Sequence, residues 1–308
     1  MSSLLFVHHP DHEQHSVPPT HPESPLRGLA IETKLRESGL WQDLSIENAR
    51  KADSDVFRLV HTKGYIDQLY QMTPKKGLIY ADEDTALSYD TLQAVEEAVG
   101  SGLQAIDAIS SGEFKRAFCA VRPPGHHAEP KKTMGFCFIN NIAVAAQYAL
   151  TTKPFNKVMI FDFDVHQGNG TVEAFQGRDD VLVVSSFQHP FFPYTHWQSK
   201  HDNILNIPLR SGTDGPTYRK LVEEPLIKKA NEFRPDLILL SAGFDAHTRD
   251  PLGEVNLLED DFYWITKLCT SLANEHAQGR ILSLLEGGYD LEALANSAHR
   301  HIEGLLER

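Results

Sequence analysis

The chain has 308 residues, 41% of them hydrophobic, with 29 Lys and Arg against 42 Asp and Glu for a net charge of −13. This composition excludes a disordered or fibrous chain, and its acidity argues against nucleic acid, whose backbone takes clustered Lys and Arg to neutralise. No run approaches the ~20 apolar residues of a membrane span. Three widely spaced cysteines, Cys119, Cys137 and Cys269, fit reduced thiols better than a disulfide framework or a thiolate zinc site. The N-terminal MSSLLFVHHPDHEQH lacks the basic segment of a secretory signal, so a cytoplasmic address is expected.

In chain order, a strand is predicted at LLFVHH from Leu4, then helices over Pro25 to Ser38 and Tyr89 to Ile109. A strand follows at AFCAVRPPG from Ala117, a helix over Asn140 to Leu150, and strands at KVMIFDFDVH from Lys157 and VLVVSSF from Val181. The pattern closes with a helix over Pro216 to Phe233, a strand at LILLSAGFD from Leu237, a helix over Glu259 to Glu275, a strand at ILSLLEGGYD from Ile281 and a helix over Leu291 to Leu306. Strand alternating with helix implies a mainly parallel sheet covered on both faces. There is no internal repeat and no Gly/Ser linker, so residues 1–308 read as one domain.

Polar chemistry follows almost every strand: Arg122 to His127, Asp162 to His166, Ser185 to Gln188, Ser241 to Asp245 and Glu286 to Tyr289. Open α/β sheets bind ligands beyond the carboxyl ends of their strands, so these five segments are expected to converge. Turn chemistry alone accounts for the glycines but hardly for five sets of titratable groups.

Along Phe161 to His166, alternation on an extended strand turns Asp162, Asp164 and His166 one way and Phe161, Phe163 and Val165 the other. Two buried neighbouring carboxylates call for a compensating cation, and Asp with His suits zinc. A lone Asp-x-His arises by chance in loops, but Asp245 ends another strand and completes a three-ligand set with Asp164 and His166. Three ligands leave a position open, as in catalytic zinc sites. Asp162 then falls behind the metal, where it can orient a histidine and hold a monovalent cation with Ser185 and backbone carbonyls. Pro123-Pro124-Gly125-His126-His127 places two imidazoles on a stiff loop, as proton carriers, as ligands themselves, or as solvated loop residues. Tyr289, after two glycines, offers a phenol on a turn, although most tyrosines are packing residues with a wet tip.

These segments resemble the histone deacetylase family, including its bacterial amidohydrolase and acetylpolyamine amidohydrolase branches. The resemblance runs over nearly the whole chain: HPESPLR at His21, RPPGHHAE at Arg122, GFCFINN at Gly135, DFDVHQGNGT at Asp162, SAGFDAHTRDPLG at Ser241 and LEGGYD at Leu285. It implies an arginase-like three-layer α/β/α sandwich. It also implies one zinc ion, with iron as an alternative, on Asp164, His166 and Asp245, and a structural K+ at Asp162, Asp164 and Ser185. His126 and His127 correspond to the histidine pair, with His127 as general base and His126 paired to Asp162, and Tyr289 to the transition-state tyrosine. Gly135 would accept from the substrate amide, Phe136 and Phe192 would flank an acyl-lysine channel, Arg27 would stand near an acetate exit, and Asp84 would grip the substrate backbone. Asn169, where some members carry Asp, resembles the class II branch.

The implied reaction is zinc-dependent hydrolysis of an N-acyl amine, N-ε-acetyl-lysine in proteins or peptides first, releasing acetate. An acetylated polyamine is the alternative; the negative charge favours it, but Leu252 stands where a polyamine-selective branch is acidic. A two-manganese ureohydrolase would need more bridging ligands than the spare His247 and Asp250. An acyl-lysine binding module would not need Tyr289 and both loop histidines. Cys137 is expected to be a packed thiol, His8, His9, His12 and His15 a polar loop near the entrance, and Phe191 and Phe192 a channel wall only through the resemblance.

Overall fold

The computed structural model describes residues 4–307, so Met1 to Ser3 of the N-terminal reading and Arg308 of the domain lie outside the described residues. The strands are β1 (Leu4–His8), β2 (Leu44–Asn48), β3 (Leu78–Tyr80), β4 (Ala86–Ser88), β5 (Arg116–Ala120), β6 (Val158–Asp162), β7 (Val181–Gln188), β8 (Ile204–Leu209), β9 (Leu237–Ala242) and β10 (Ile281–Leu285). The α-helices are α1 (Leu26–Glu37), α2 (Lys63–Met72), α3 (Thr91–Ser111), α4 (Asn141–Thr152), α5 (Asn169–Phe175), α6 (Gly215–Phe233), α7 (Glu259–His276) and α8 (Leu291–Leu305).

Eight strands form one sheet in the order β2-β1-β5-β10-β9-β6-β7-β8, and every pairing in it is parallel. β3 and β4 make a separate antiparallel pair. Because strand side chains alternate, each face of the sheet owns a different core. Phe6, Phe118, Phe161 and Leu240 pack with Ile31 of α1, Val222 of α6, Phe262 of α7 and Ile302 of α8. Their neighbours Leu5, Ala117, Ile160 and Leu239 pack with Ala98 of α3, Ile142 of α4 and Val172 of α5. This is the expected three-layer α/β/α sandwich.

The connection from β5 to β6 skips two places, and β9 and β10 later fill them. The five strands that carry polar carboxyl ends, β5, β10, β9, β6 and β7, are therefore contiguous at the middle of the sheet, all pointing the same way. β2 and β8 were not expected. They are the two edge strands, only partly buried, and β8 carries Pro208, whose missing N–H an edge tolerates.

Candidate active site

The strand β6 stops at Asp162, so the extended alternation expected through His166 does not continue as a paired strand. Its consequence survives in the turn that follows. Phe163 and Val165 stay in the apolar core with Phe161, while Asp164 and His166 face Asp245 from the end of β9. His166 Nδ1 lies 3.0 Å from Asp164 Oδ1 and 3.1 Å from Asp245 Oδ2. Backbone amides fix the carboxylates: Val165 N–H donates to Asp245 Oδ1 at 2.8 Å and Gly287 N–H to Asp164 Oδ2 at 2.8 Å. Only glycine fits at 287, since a Cβ there would stand 2.1 Å from Asp245 Oδ2.

One ligand atom from each of the three residues lies within 4.8 Å of the others, a set that could hold one divalent ion. The donor chemistry agrees. Burial, and then the charge of Asp164, pushes the Asp245 carboxyl up to about 7, a repulsion that a cation between the two removes. Beneath them, Ser185 pairs in register with Asp162, and its buried Oγ has no hydrogen-bond partner. An orphaned hydroxyl beside a buried carboxylate is what a monovalent cation ligand looks like before its ion.

The two histidines differ. His126 Nδ1 donates to Asp162 Oδ2 at 2.9 Å. Burial opposes its charge, but Asp162, Asp164 and Glu286 outweigh burial and hold its pKa well above the ordinary imidazole value. His127 Nδ1 meets Asn169 Oδ1 at 2.7 Å. The amide orientation is settled from behind, because Asn169 Nδ2 donates to Glu129 Oε1 at 2.7 Å and to the His127 carbonyl at 3.3 Å. His127 therefore carries its proton on Nδ1 and keeps a lone pair on Nε2. Burial, then the charges of His126 and His166, holds its pKa well below the ordinary value.

Above this floor lies a cavity of about 420 Å³ lined by His127, His166, Gly135, Phe136, Phe192, Leu252, Asp84 and Tyr289. A larger recess of about 590 Å³, between Arg178 and Phe233, lies away from every predicted site residue. Phe192 stands edge-on to His127 at 5.1 Å, and Phe136 edge-on to Tyr289 at 5.9 Å. Gly135 adopts φ +54°, and a Cβ there would press on His127 Cδ2 at 2.6 Å. Arg27 does not line the cavity. It is fully buried behind Tyr289, its guanidinium 5.0 Å from the ring centre, donating to the Gly288 carbonyl at 2.7 Å, to Glu23 at 3.0 Å and to the Glu286 carbonyl.

Three carboxylates without an assigned role in the sequence reading hold the site together. Glu286 accepts from the Gly125 and His126 amides at 2.7 and 3.1 Å and from Ser241 Oγ at 3.2 Å, tying the histidine loop to β9 and β10. Asp250 accepts from the Tyr289 amide at 2.6 Å and so sets that turn. Glu129 fixes Asn169. The motifs contain all three, but nothing in their spacing marks a carboxylate that serves backbone amides. Cys137 is a packed thiol, fully buried. Two of the four N-terminal histidines are not on a polar loop: His9 bonds Glu97 at 2.9 Å and the Arg122 carbonyl at 2.6 Å, and His15 bonds Thr91 at 2.9 Å, both buried.

Residues 21–305 match the histone deacetylase domain family. The chain is 37% identical over 309 residues to Histone deacetylase 6 of Caenorhabditis elegans, covering 94% of this chain and 32% of that protein, so it spans about a third of that relative's length. It is 33% identical over 296 residues to a probable deacetylase of Archaeoglobus fulgidus, covering 93% of this chain and 81% of the relative. The solved HDA15 HD domain superposes with a TM-score of 0.90 at 32% identity, covering 99% of this chain and 89% of that one. The chain belongs to the histone deacetylase family. It is a hydrolase enzyme of that family.

Proposed function

We propose that this single-domain chain hydrolyses N-ε-acyl-lysine in proteins or peptides, acetyl-lysine first, releasing acetate and the free amine. The observation that carries the reading is the neutral His127, its Nε2 lone pair free beside a three-ligand cluster at the floor of an apolar-walled cavity. Asp164, His166 and Asp245 would hold one zinc ion, or ferrous iron, which supplies Lewis acidity toward water and the amide carbonyl. His127 accepts the proton of the attacking water and returns it to the leaving amine. His126, kept cationic by Asp162, supports the charge that develops above it. The Tyr289 hydroxyl donates to the oxyanion, and its pKa, raised well above the usual value by burial and then by Asp245, keeps that proton in place.

Phe136 and Phe192 exclude water from the alkyl stem of the acyl-lysine. The Gly135 carbonyl accepts from its amide, Asp84 holds the substrate backbone at the rim, and Arg27, buried behind Tyr289, would stand near the acetate exit. Asp162, Asp164 and Ser185 would hold K+. No helix among the described residues is long and apolar enough to cross a membrane. A cytoplasmic address rests on three free, buried cysteines.

A second reading, acetylpolyamine hydrolysis, draws on the charge of −13 and on Glu254 and Asp84 at the cavity; Leu252 and the engagement of Glu254 by Gln188 at 3.0 Å speak against it. Purified enzyme of measured metal content, assayed on acetyl-lysine peptides, longer acyl-lysines and acetylpolyamines, tests both. Highest kcat/KM on an acetyl-lysine peptide is expected; highest on an acetylpolyamine reverses the order, and none on any substrate overturns both.

A further inference from the structure

A second group of metal-competent side chains lies outside the site described above, where the end of β1 and the loop after it cross helix α1. His8, His12 and Glu32 each offer one ligand atom, all within 4.8 Å of one another. Glu32 Oε1 lies 2.7 Å from His8 Nδ1 and 2.5 Å from His12 Nε2. The contact with His8 lacks the alignment of a hydrogen bond, so His8 Nδ1 is a buried ring nitrogen with no hydrogen-bond partner, aimed at a carboxylate.

The backbone prepares this arrangement. Gly28 and Glu32 share one face of α1, one turn apart. The His12 ring rests on the bare Gly28, where a Cβ would stand 2.8 Å from Nδ1. His8 is held from the other side by Trp41, with ring centres 6.1 Å apart, and Trp41 in turn carries Arg36 at 3.7 Å. The side chains remain open to water, with exposures of 15% for His8 and 20% for His12, which leaves room for a solvent ligand.

We infer that His8, His12 and Glu32 form a second, structural site for a divalent transition ion of the zinc class, pinning the loop after β1 onto α1. Two imidazoles and one carboxylate are a ligand set that zinc accepts, with bonds of ~2 Å, and the Glu32 oxygen needs to retreat by less than about 1 Å to admit it. The ion would brace the helix that carries Arg27 and the segment that leads to Glu23, which Arg122 grips through two contacts of 2.6 Å.

Chelator-stripped protein, titrated with zinc alone, desalted and analysed by elemental mass spectrometry, tests the site. Two ions per chain are expected in the native sequence, one in His12→Gln/Glu32→Gln, one in His166→Ala, and none when these are combined. Turnover of the zinc-loaded His12→Gln/Glu32→Gln variant should match the native enzyme. In the His166→Ala background, zinc at about a hundred times its Kd should raise Tm by roughly 4 °C, a rise absent once His12 and Glu32 are replaced. If the double variant does not fold, Gly28→Ala crowds His12 without removing a donor and should raise the zinc concentration needed for the second equivalent. A single ion in the native protein, or equal stoichiometry in native and His12→Gln/Glu32→Gln, overturns the site and leaves the trio as an ion-paired clasp.

Discussion

The sheet side and the cavity side of the candidate site follow opposite electrostatic rules. Beneath, Asp162, Asp164, Asp245, Glu286 and His126 crowd charge into dry strand ends, each 2% exposed or less. Above, a neutral His127 held by the Asn169 amide, two phenylalanines, Leu252 and the Tyr289 phenol form the walls, and the carboxylates of the cavity are Asp84 and Glu254. In the proposed reaction, charge concentrated below would serve a cation, and a neutral His127 above would serve as a base that starts without a proton. Most of the site's chemistry depends on keeping these two halves distinct.

Dismantling the charged half has the largest expected effect. Asp245→Ala or His166→Ala should lose activity and the ion held at this site, because two remaining ligands cannot close the set; metal analysis showing the native stoichiometry in either variant would remove those residues from the ligand set. Next comes the cavity side. Tyr289→Phe deletes one donor to the oxyanion and should lower kcat by ~10²- to 10³-fold while metal content stays at the native level. Unchanged kcat would mean that the phenol only packs.

Making the neutral half charged sharpens the comparison further. Asn169→Asp alone sets a carboxylate against Glu129, which now accepts from Asn169 Nδ2 at 2.7 Å, so the informative variant is Asn169→Asp/Glu129→Gln, where the new amide donates instead. A carboxylate beside His127 favours imidazolium, and its pKa should rise by roughly one unit or more. The base is then protonated at a higher pH, and the acid limb of the kcat/KM profile should shift upward with it. A limb that stays in place would show that the amide at 169 is not what keeps His127 neutral.

The central half of the molecule was legible in the sequence because buried parallel strands are continuous apolar runs, and each ended in residues that no turn requires. Asp164, His166, Asp245, His126, His127 and Tyr289 stood out for that reason, and the structure brings them together; the roles proposed for them come from the resemblance. The edges were not. β2 reads LSIEN and β8 ILNIPL, polar and half-buried, which is what edge position permits and what pattern reading passes over. The turn after β6 also departed from a strand while keeping its alternation, since Phe163 and Val165 have the same core to fill as Phe161. Glu286, Asp250 and Glu129 act on backbone amides or on another side chain's orientation, a role set by three-dimensional meeting points. His8, His12 and Glu32 meet only because α1 packs back across the end of β1.

The smallest effect isolates burial from charge. His301 on α8 is as buried as His126 but has no carboxylate beside it, and burial lowers its pKa to about 3. Thr266 Oγ1 donates to the Phe262 carbonyl at 2.6 Å, so it accepts from His301 Nδ1 at 2.6 Å, and His301 Nε2 accepts from Ser283 at 2.9 Å. His61, lowered to about 4 by burial against its bond to the Glu129 carbonyl, behaves alike. Both folded values lie below the unfolded value of about 6.5, so the unfolded chain binds protons that the fold refuses. Their contribution is complete above about pH 6.5 and declines as pH falls toward their folded values, by up to about 1.4 kcal/mol per pH unit for each histidine. Denaturant unfolding of native protein and of His301→Phe, compared between about pH 6.5 and 5, should show the variant less stable overall but with a shallower acid slope by one histidine's share. Equal slopes would mean that His301 takes up its proton inside the fold, and that burial without a carboxylate does not suffice to keep an imidazole neutral here.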